Sequence, residues 1–250
     1  MSRSRPSLAP LDPRLLRAVT DLIHSPALPT LTLTDLADHV GYSPHHFSRI
    51  FHATVGLSPG QFLAGMRIDA AKRLLLGGTD AVIDIATAVG FDSPSSFTRR
   101  FRTTVGTTPG ALRTLADDLA ETTLTPVAVG DPRQPPVHVT LDLPPPCGPP
   151  RRWPCGSGGS PRPVPFGLPG SGRMILGVSD LVLPLHPGHP WLLGLVVPRH
   201  ASPEELLTPE VPVFALHPLP VTGPGALTLH FRLAATHTPP MLSALPARVP

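Results

Sequence analysis

Leu36-Ala37-Asp38-His39-Val40-Gly41-Tyr42, followed by Phe47, Arg49, Phe51, Val55-Gly56 and Pro59-Gly60, decides the fold, because the chain carries this pattern twice. It returns as Ile85-Ala86-Thr87-Ala88-Val89-Gly90-Phe91, then Phe97, Arg99, Phe101, Val105-Gly106 and Pro109-Gly110. The offset is 49 residues up to Tyr42/Phe91 and 50 from Phe47/Phe97, so one residue is inserted in the turn of the second copy. A pattern repeated at a fixed period marks a duplicated supersecondary unit. Each copy has the grammar of a helix-turn-helix.

In the first copy a short helix is expected over Asp35 to Val40, closed by Gly41, which takes the left-handed conformation of a tight turn. Ser43 is a good N-cap, and Pro44 suits the first helical position, where its missing N–H costs nothing. The next helix buries Phe47, Ile50 and Phe51 at spacings of three and four, and exposes His45, Ser48, Arg49 and His52. In the second copy Ile85, Ala86 and Val89 pack inward, Gly90 turns the chain, and Asp92 or Ser93 caps a helix that starts at Pro94. Phe97 and Phe101 face the core there, while Ser95, Thr98, Arg99 and Arg102 point outward. Thr103 and Thr104 follow, where hydroxyls could meet phosphate. Cap, core aromatics and an arginine recur at matching places, which points to two DNA-reading helices rather than two ordinary helical hairpins.

Between the copies a continuous helix is expected from about Pro59 to Leu76, with Phe62, Leu63, Met66, Ala70 and Leu74 on its buried side and Gly77-Gly78 at its end. About 17 residues at ~1.5 Å each give roughly 25 Å. A rod of that order can hold two reading helices near the ~34 Å repeat of B-DNA, so one chain can address two successive major-groove segments without dimerising.

Residues 11 to 113, about two-fifths of the chain, resemble the DNA-binding domain of the AraC/XylS family of bacterial transcription regulators. The resemblance rests on the two helix-turn-helix units and on Met66-Arg67-Ile68 and Ala71-Lys72-Arg73-Leu74-Leu75 in the central helix. It rests equally on the Gly-Phe turn with Phe101, Gly106 and Pro109 in the second unit. It implies that His45, Ser48 and Arg49 face bases in the first unit and Ser95, Thr98 and Arg99 in the second. Double-stranded DNA is the implied partner, with RNA polymerase a further one if the protein activates, and a small-molecule effector a possible third. Many relatives place the reading domain last, behind an effector module. The order here departs from that, so neither sugar binding nor dimerisation carries over.

Arginine is the commonest bidentate reader of guanine, through O6 and N7, whereas serine and threonine are permissive. The chain has no asparagine and only two glutamines, Gln61 and Gln134, neither in a reading helix, so adenine reading by an amide is closed to it. Guanine contacts through Arg49 and Arg99 are therefore expected to dominate specificity, with phosphate contact as the competing role.

A chain of 250 residues can hold two small domains. The net charge of +3 is unevenly placed: up to Leu115 there are 12 basic against 8 acidic residues, and beyond it 8 against 9. The basic excess lies on the reading domain, as phosphate binding requires. No apolar run reaches the ~18 to 20 residues of a membrane span, and the N-terminus lacks an apolar signal core, so no membrane partner and a cytoplasmic location are expected. Cys147 and Cys155 sit in a Pro/Gly stretch without a second pair, and His186-Pro187-Gly188-His189-Pro190 reads as a surface loop. Neither suggests a metal site. Phosphate-loop, zinc-protease and serine-elbow signatures are missing, so no cofactor and no enzymatic activity are expected.

Leu11 to Ser25 reads as the first helix, with Leu15, Val19, Leu22 and Ile23 on one side. Beyond the second unit, Val137 to Leu143 alternates like a strand. Pro144 to Gly172 contains ten prolines and seven glycines in 29 residues, too few apolar side chains to fold alone, which leaves two readings: a mobile insert, or a region drifting under weak selection in GC-rich DNA. Met174–Val178, Leu181–Leu185, Leu192–Val197, Val211–Leu216 and Ala226–Leu233 have strand character, and Ser202 to Leu207 suits one or two helical turns. Leu227, Leu229, Phe231 and Leu233 alternate with polar residues, as in a sheet with one wet face.

The expected architecture is multidomain. An all-α double helix-turn-helix domain over residues 11–115 is followed by a linker over 116–136 and a small β-rich C-terminal region, sandwich-like, over 137–250, with the Pro/Gly-rich insert at 144–172. The expected function is sequence-specific DNA binding in transcription regulation. Two rivals remain: a non-specific or architectural DNA binder, and an enzyme-like C-terminal half with a helical docking domain.

Overall fold

The computed structural model describes residues 10–120, 127–144, 154–161, 163–164, 169–176, 179–196, 202–210, 212–235, 237–240 and 242. Seven helices come first: α1 (Pro13–Ile23), α2 (Leu33–His39), α3 (Pro44–Val55), α4 (Pro59–Gly77), α5 (Val82–Ala88), α6 (Pro94–Val105) and α7 (Pro109–Ala120). The duplication is visible in their lengths. Both α2 and α5 have 7 residues, and both α3 and α6 have 12.

Local chemistry sets most helix ends. Asp12 caps α1 by accepting from the Arg14 amide. Helix α2 begins at Leu33, two residues before the expected Asp35, because Thr32 and Asp35 form a capping box: each side chain accepts from the other's backbone N–H. The Thr32 hydroxyl, and after it the Thr32 amide, holds the Asp35 carboxyl below its ordinary value. Ser58 and Gln61 form the same box at the start of α4. Ser43 caps α3, and Ser93, of the two candidates, caps α6.

Helix α4 joins two apolar cores. Phe62, Leu63 and Met66 close the first, together with Val19 and Ile23 of α1, Leu36 of α2, and Phe47 and Phe51 of α3. Ile68, Ala71 and Leu75, one turn further on, close the second with Ile85 of α5, Phe97 and Phe101 of α6, and Leu112 of α7. A helix that serves two cores is buried nearly all round, so it lacks the single apolar stripe expected of it. Leu74, expected inside, is 40% exposed, while Lys72 and Asp69 are buried.

Among the described residues the rest of the chain forms nine strands and one short helix, α8 (Pro203–Leu207). The strands are β1 (Val127–Val129), β2 (Pro136–Asp142), β3 (Pro154–Ser160), β4 (Ser171–Leu176), β5 (Asp180–Pro184), β6 (Trp191–Val196), β7 (Val213–Leu216), β8 (Gly225–His230) and β9 (Arg232–Leu233). They make a six-stranded antiparallel sheet in the order β1-β4-β3-β6-β7-β9 and a three-stranded sheet in the order β5-β2-β8. In the smaller sheet β2 runs antiparallel to β5 but parallel to β8. Val137, Val139, Leu181 and Leu229 of the small sheet share one core with Leu192, Val196 and Ala215 of the large one, a two-layered arrangement.

Two expectations for this region are corrected. Part of the stretch read as a mobile insert is β3, an interior strand paired with β4 on one side and β6 on the other. Its glycines are a packing requirement: a Cβ on Gly158 would lie 2.6 Å from the Ser171 carbonyl oxygen. Low apolar content misled because the neighbouring strands supply the side chains. The second correction is Leu233, read as inward but 55% exposed at the end of the sheet. Val127–Val129, in the stretch read as a linker, pairs as the edge strand β1. Cys147 lies outside the described residues.

Candidate nucleic-acid interface

Each repeat places a polar stripe on the outer side of a 12-residue helix whose inner side is aromatic. On α3 the inner side is Phe47 and Phe51, with ring centroids 5.4 Å apart; on α6 it is Phe97 and Phe101, 5.5 Å apart. All four rings are fully buried. That anchorage leaves His45, Ser48, Arg49 and His52 on the far side of α3, at helical spacings of three and four. Their counterparts on α6, each 50 residues on, are Ser95, Thr98, Arg99 and Arg102. The six at positions 45, 49, 52, 95, 99 and 102 are exposed, and Ser48 and Thr98 are half-buried at the edge of the stripe. Among the described residues, nothing covers either helix along this stripe.

The two stripes differ in charge. Neither helix contains an acidic residue. Helix α3 carries one arginine and three histidines, whereas α6 carries Arg99, Arg100 and Arg102. None of these four arginine side chains takes part in an ion pair or hydrogen bond among the described residues. Each is an unspent fork of N–H donors in solvent, suited to bases or phosphates. Arg100 is a cation that the sequence reading left out, although its place beside Arg99 on an exposed helix was a usable signal.

Thr103 is exposed at the end of the α6 stripe, but its hydroxyl donates to the Arg99 and Arg100 carbonyls, and that of Thr104 donates to Arg100. A phosphate offers only acceptors, so contact requires the hydroxyl to rotate off the helix.

The turns fix how each unit folds. Gly41 (φ +72) and Gly90 (φ +84) occupy the left-handed region that favours glycine. Gly41 faces open space, whereas a Cβ on Gly90 would lie 1.9 Å from the Pro29 carbonyl oxygen. The second unit's turn is thus pressed against the segment between α1 and α2. Arg67 of α4 pins the same place: Nε donates to the Leu28 carbonyl (3.2 Å), Nη2 to Leu31 (2.8 Å) and Nη1 to Gly90 (3.4 Å). Burial lowers its affinity for the proton, and Asp92 nearby opposes that. Arg67 therefore holds the two units in a set relation, a role invisible in the sequence beyond its place in the central helix.

The C-terminal region also reaches α4. Leu207 and Leu242 complete the second helical core, and Val164 packs into the first. Lys72 is fully buried, with Nζ donating to the Leu207 carbonyl. Arg73 donates to Asp69 (3.0 Å) and to the carbonyls of Thr208 (3.2 Å) and Pro209 (3.5 Å). Burial pushes Lys72 down to about 8; Asp69 opposes the shift and Arg73 adds to it.

Other candidate chemistry is sparse. The His186 and His189 rings meet edge-on with centroids 4.3 Å apart and Nδ1 atoms 2.8 Å apart, and burial, then the neighbouring His186, lowers His189. Among the described residues no group of three or more His, Cys, Asp or Glu is placed to hold a metal ion, and no helix is long and apolar enough to cross a membrane.

Part of this chain is similar in sequence to known proteins. Residues 36–114 match the family model described as a helix-turn-helix domain. The HTH-type transcriptional activator AarP of Providencia stuartii is 39% identical over 33% of this chain and 62% of its own length. YobQ of Bacillus subtilis, an uncharacterized HTH-type transcriptional regulator, is 37% identical over 32% of this chain and 33% of its own. Among solved structures, the DNA-binding domain of AdpA in complex with a target DNA aligns at 27% identity and a TM-score of 0.40, covering 43% of this chain and 96% of that one. This chain therefore spans less than two-thirds of the length of these curated relatives, and the residues matched by the family model lie within the helical part.

Proposed function

We propose, from the premise that residues 36–114 are a helix-turn-helix domain of the AraC type, that this protein regulates transcription by reading two successive major-groove segments of one DNA duplex with α3 and α6. The observation that carries the reading is the repeated polar stripe, free of acidic residues, on two helices of equal length, with exposed arginines that have no ion pair or side-chain hydrogen bond among the described residues. Arg49 and Arg99 sit at matching places, so each is assigned a guanine, with His45, Ser48, Ser95 and Thr98 contacting flanking base edges. His52, Arg100, Arg102 and Thr103 lie further along the stripes and are assigned to phosphates, which position the protein without reading sequence.

Domain organisation is part of the same proposal. The helical region reads DNA, and the β-rich region docked on α4 is its control element, receiving a small-molecule effector. If the protein activates, RNA polymerase is a further partner.

The test is selection of genomic fragments on the purified full chain, followed by competition binding at fixed salt. A site bound about a thousandfold or more tighter than random duplex is the expected result. Arg49→Ala and Arg99→Ala should each relax discrimination at one guanine by about 1–3 kcal/mol. Equal affinity for the selected site and random duplex would leave only the architectural reading. Uniform weakening without loss of discrimination would move both arginines to the phosphates.

A further inference from the structure

We propose that the cleft between α4 and the C-terminal region binds a small organic cation: an amine-type positive charge on an apolar body. The cleft measures about 480 Å³, within the usual range of small-molecule sites. One wall is helical, from His24, Met66, Asp69 and Arg73. The other comes from the segments 209–212 and 234–240, where Glu210 is the charged lining residue and Pro212, Ala234, Pro239 and Pro240 are apolar ones. Neither half of the protein makes this cleft alone.

The unspent polar groups decide the sign of the ligand. Among the lining residues Arg73 is the one Lys or Arg, and it is engaged with the Asp69 carboxylate and with the Thr208 and Pro209 carbonyls. Asp69 spends one carboxylate oxygen on Arg73, and its side chain is 12% exposed. Its other oxygen has no hydrogen bond among the described residues, and Asp69 lines the cleft. Glu210 is exposed on the facing wall and unpaired among the described residues. His24 bonds through Nδ1 to the Thr20 carbonyl (2.7 Å). A carbonyl only accepts, so Nδ1 carries a proton, and in the uncharged tautomer that bond leaves Nε2 as the acceptor. Two carboxylates and an imidazole thus line one cleft together with Met66 and the prolines. With Asp69 paired to Arg73, Glu210 leaves the lining one negative charge in excess, so an ammonium, which donates to carboxylates, is favoured over an anion.

Occupancy bears on the reading helices, and this consequence rests on the regulator reading above. Asp69 belongs to α4, which carries both helix-turn-helix units, and Glu210 belongs to the region clamped onto it. A cation held by both carboxylates draws the two walls together. It therefore favours the docked arrangement by its differential affinity for that state.

Calorimetry on the full chain, without DNA, tests the site with three probes of one shape: phenethylammonium, 2-phenylethanol and 3-phenylpropionate. The ammonium should bind saturably and at least about tenfold tighter than either of the others, as charge-assisted hydrogen bonds predict. Glu210→Gln should weaken it about tenfold, and Ala234→Trp, which fills the cleft, should abolish it, with melting curves confirming that both variants fold. Absence of saturable binding by the ammonium overturns the proposal, as does equal or tighter binding of the carboxylate, or wild-type binding by Ala234→Trp. DNA affinity is measured separately by gel shift. Failure there with the cation still bound removes the regulator reading and leaves the site.

Discussion

Replacing Lys72 by Met probes the joint between the two halves of the protein. Lys72 is the chain's only lysine, so its titration can be followed without interference from another. It is fully buried, and burial holds it down to about 8 from 10.5. Below pH 8 the folded and unfolded chains both carry the proton, so stability does not vary with this group. Between about 8 and 10.5 the folded amine has lost its proton while the unfolded one retains it, so the unfolded state binds more protons and stability rises with pH. The span from about 8 to 10.5 is worth about 3 kcal/mol. Lys72→Met removes the desolvation penalty but leaves the Leu207 carbonyl without its donor, a charged hydrogen bond worth about 1.5–3 kcal/mol. The two effects nearly cancel at pH 7, so the variant should match wild type there and fall below it by about 3 kcal/mol near pH 10.5. Urea unfolding of both proteins at intervals from pH 7 to 10.5 measures the difference, in which the other titrating groups cancel. A one-resonance NMR titration of carbon-labelled lysine should turn at about 8. Parallel stability curves for the two proteins would refute the reasoning.

Cutting the chain after Ala120 removes Leu207 and Leu242 from the second core and uncovers Lys72; its resonance should then turn near the ordinary lysine value, and an unchanged midpoint would mean that the helices alone bury it. Gly90→Ala should lower stability by more than about 3 kcal/mol, since a strained left-handed alanine is added to a clash with the Pro29 backbone. Gly41→Ala meets open space and should lose only about 1 kcal/mol, so thermal melts of the pair separate strain from crowding. Arg67→Met strips the Leu28, Leu31 and Gly90 carbonyls of their shared donor. A loss of about 2–4 kcal/mol is expected, and affinity for the selected DNA site should fall more than affinity for random duplex; equal falls would mean that Arg67 does not set the relation between the units.

Much of the helical region was legible because its determinants are local. Ser43 before Pro44, and Ser93 before Pro94, are caps whose partners lie three residues on. Phe47 with Phe51, and Phe97 with Phe101, are one turn apart and report the buried side directly. Where the reading slipped, the partner was near but the rule was weak, as at Thr32 and Asp35, or the helix had two cores, as at Leu74. The exposed positions of His45, Arg49, Ser95 and Arg99 followed from the aromatic pattern on the opposite side.

What the residues alone determined was therefore whatever repeats within a helical turn: two copies of one unit, their caps, their aromatic anchors and the polar stripes left outside. Tertiary structure decided the rest. Lys72 meets a carbonyl 135 residues further along the chain, β2 lies parallel to β8, and a glycine-rich run becomes an interior strand because Ser171 and its neighbours press against it. Side-chain periodicity reports which face of an element is covered. It carries no information about which distant segment does the covering, since any apolar or hydrogen-bonding partner of suitable shape satisfies the same pattern.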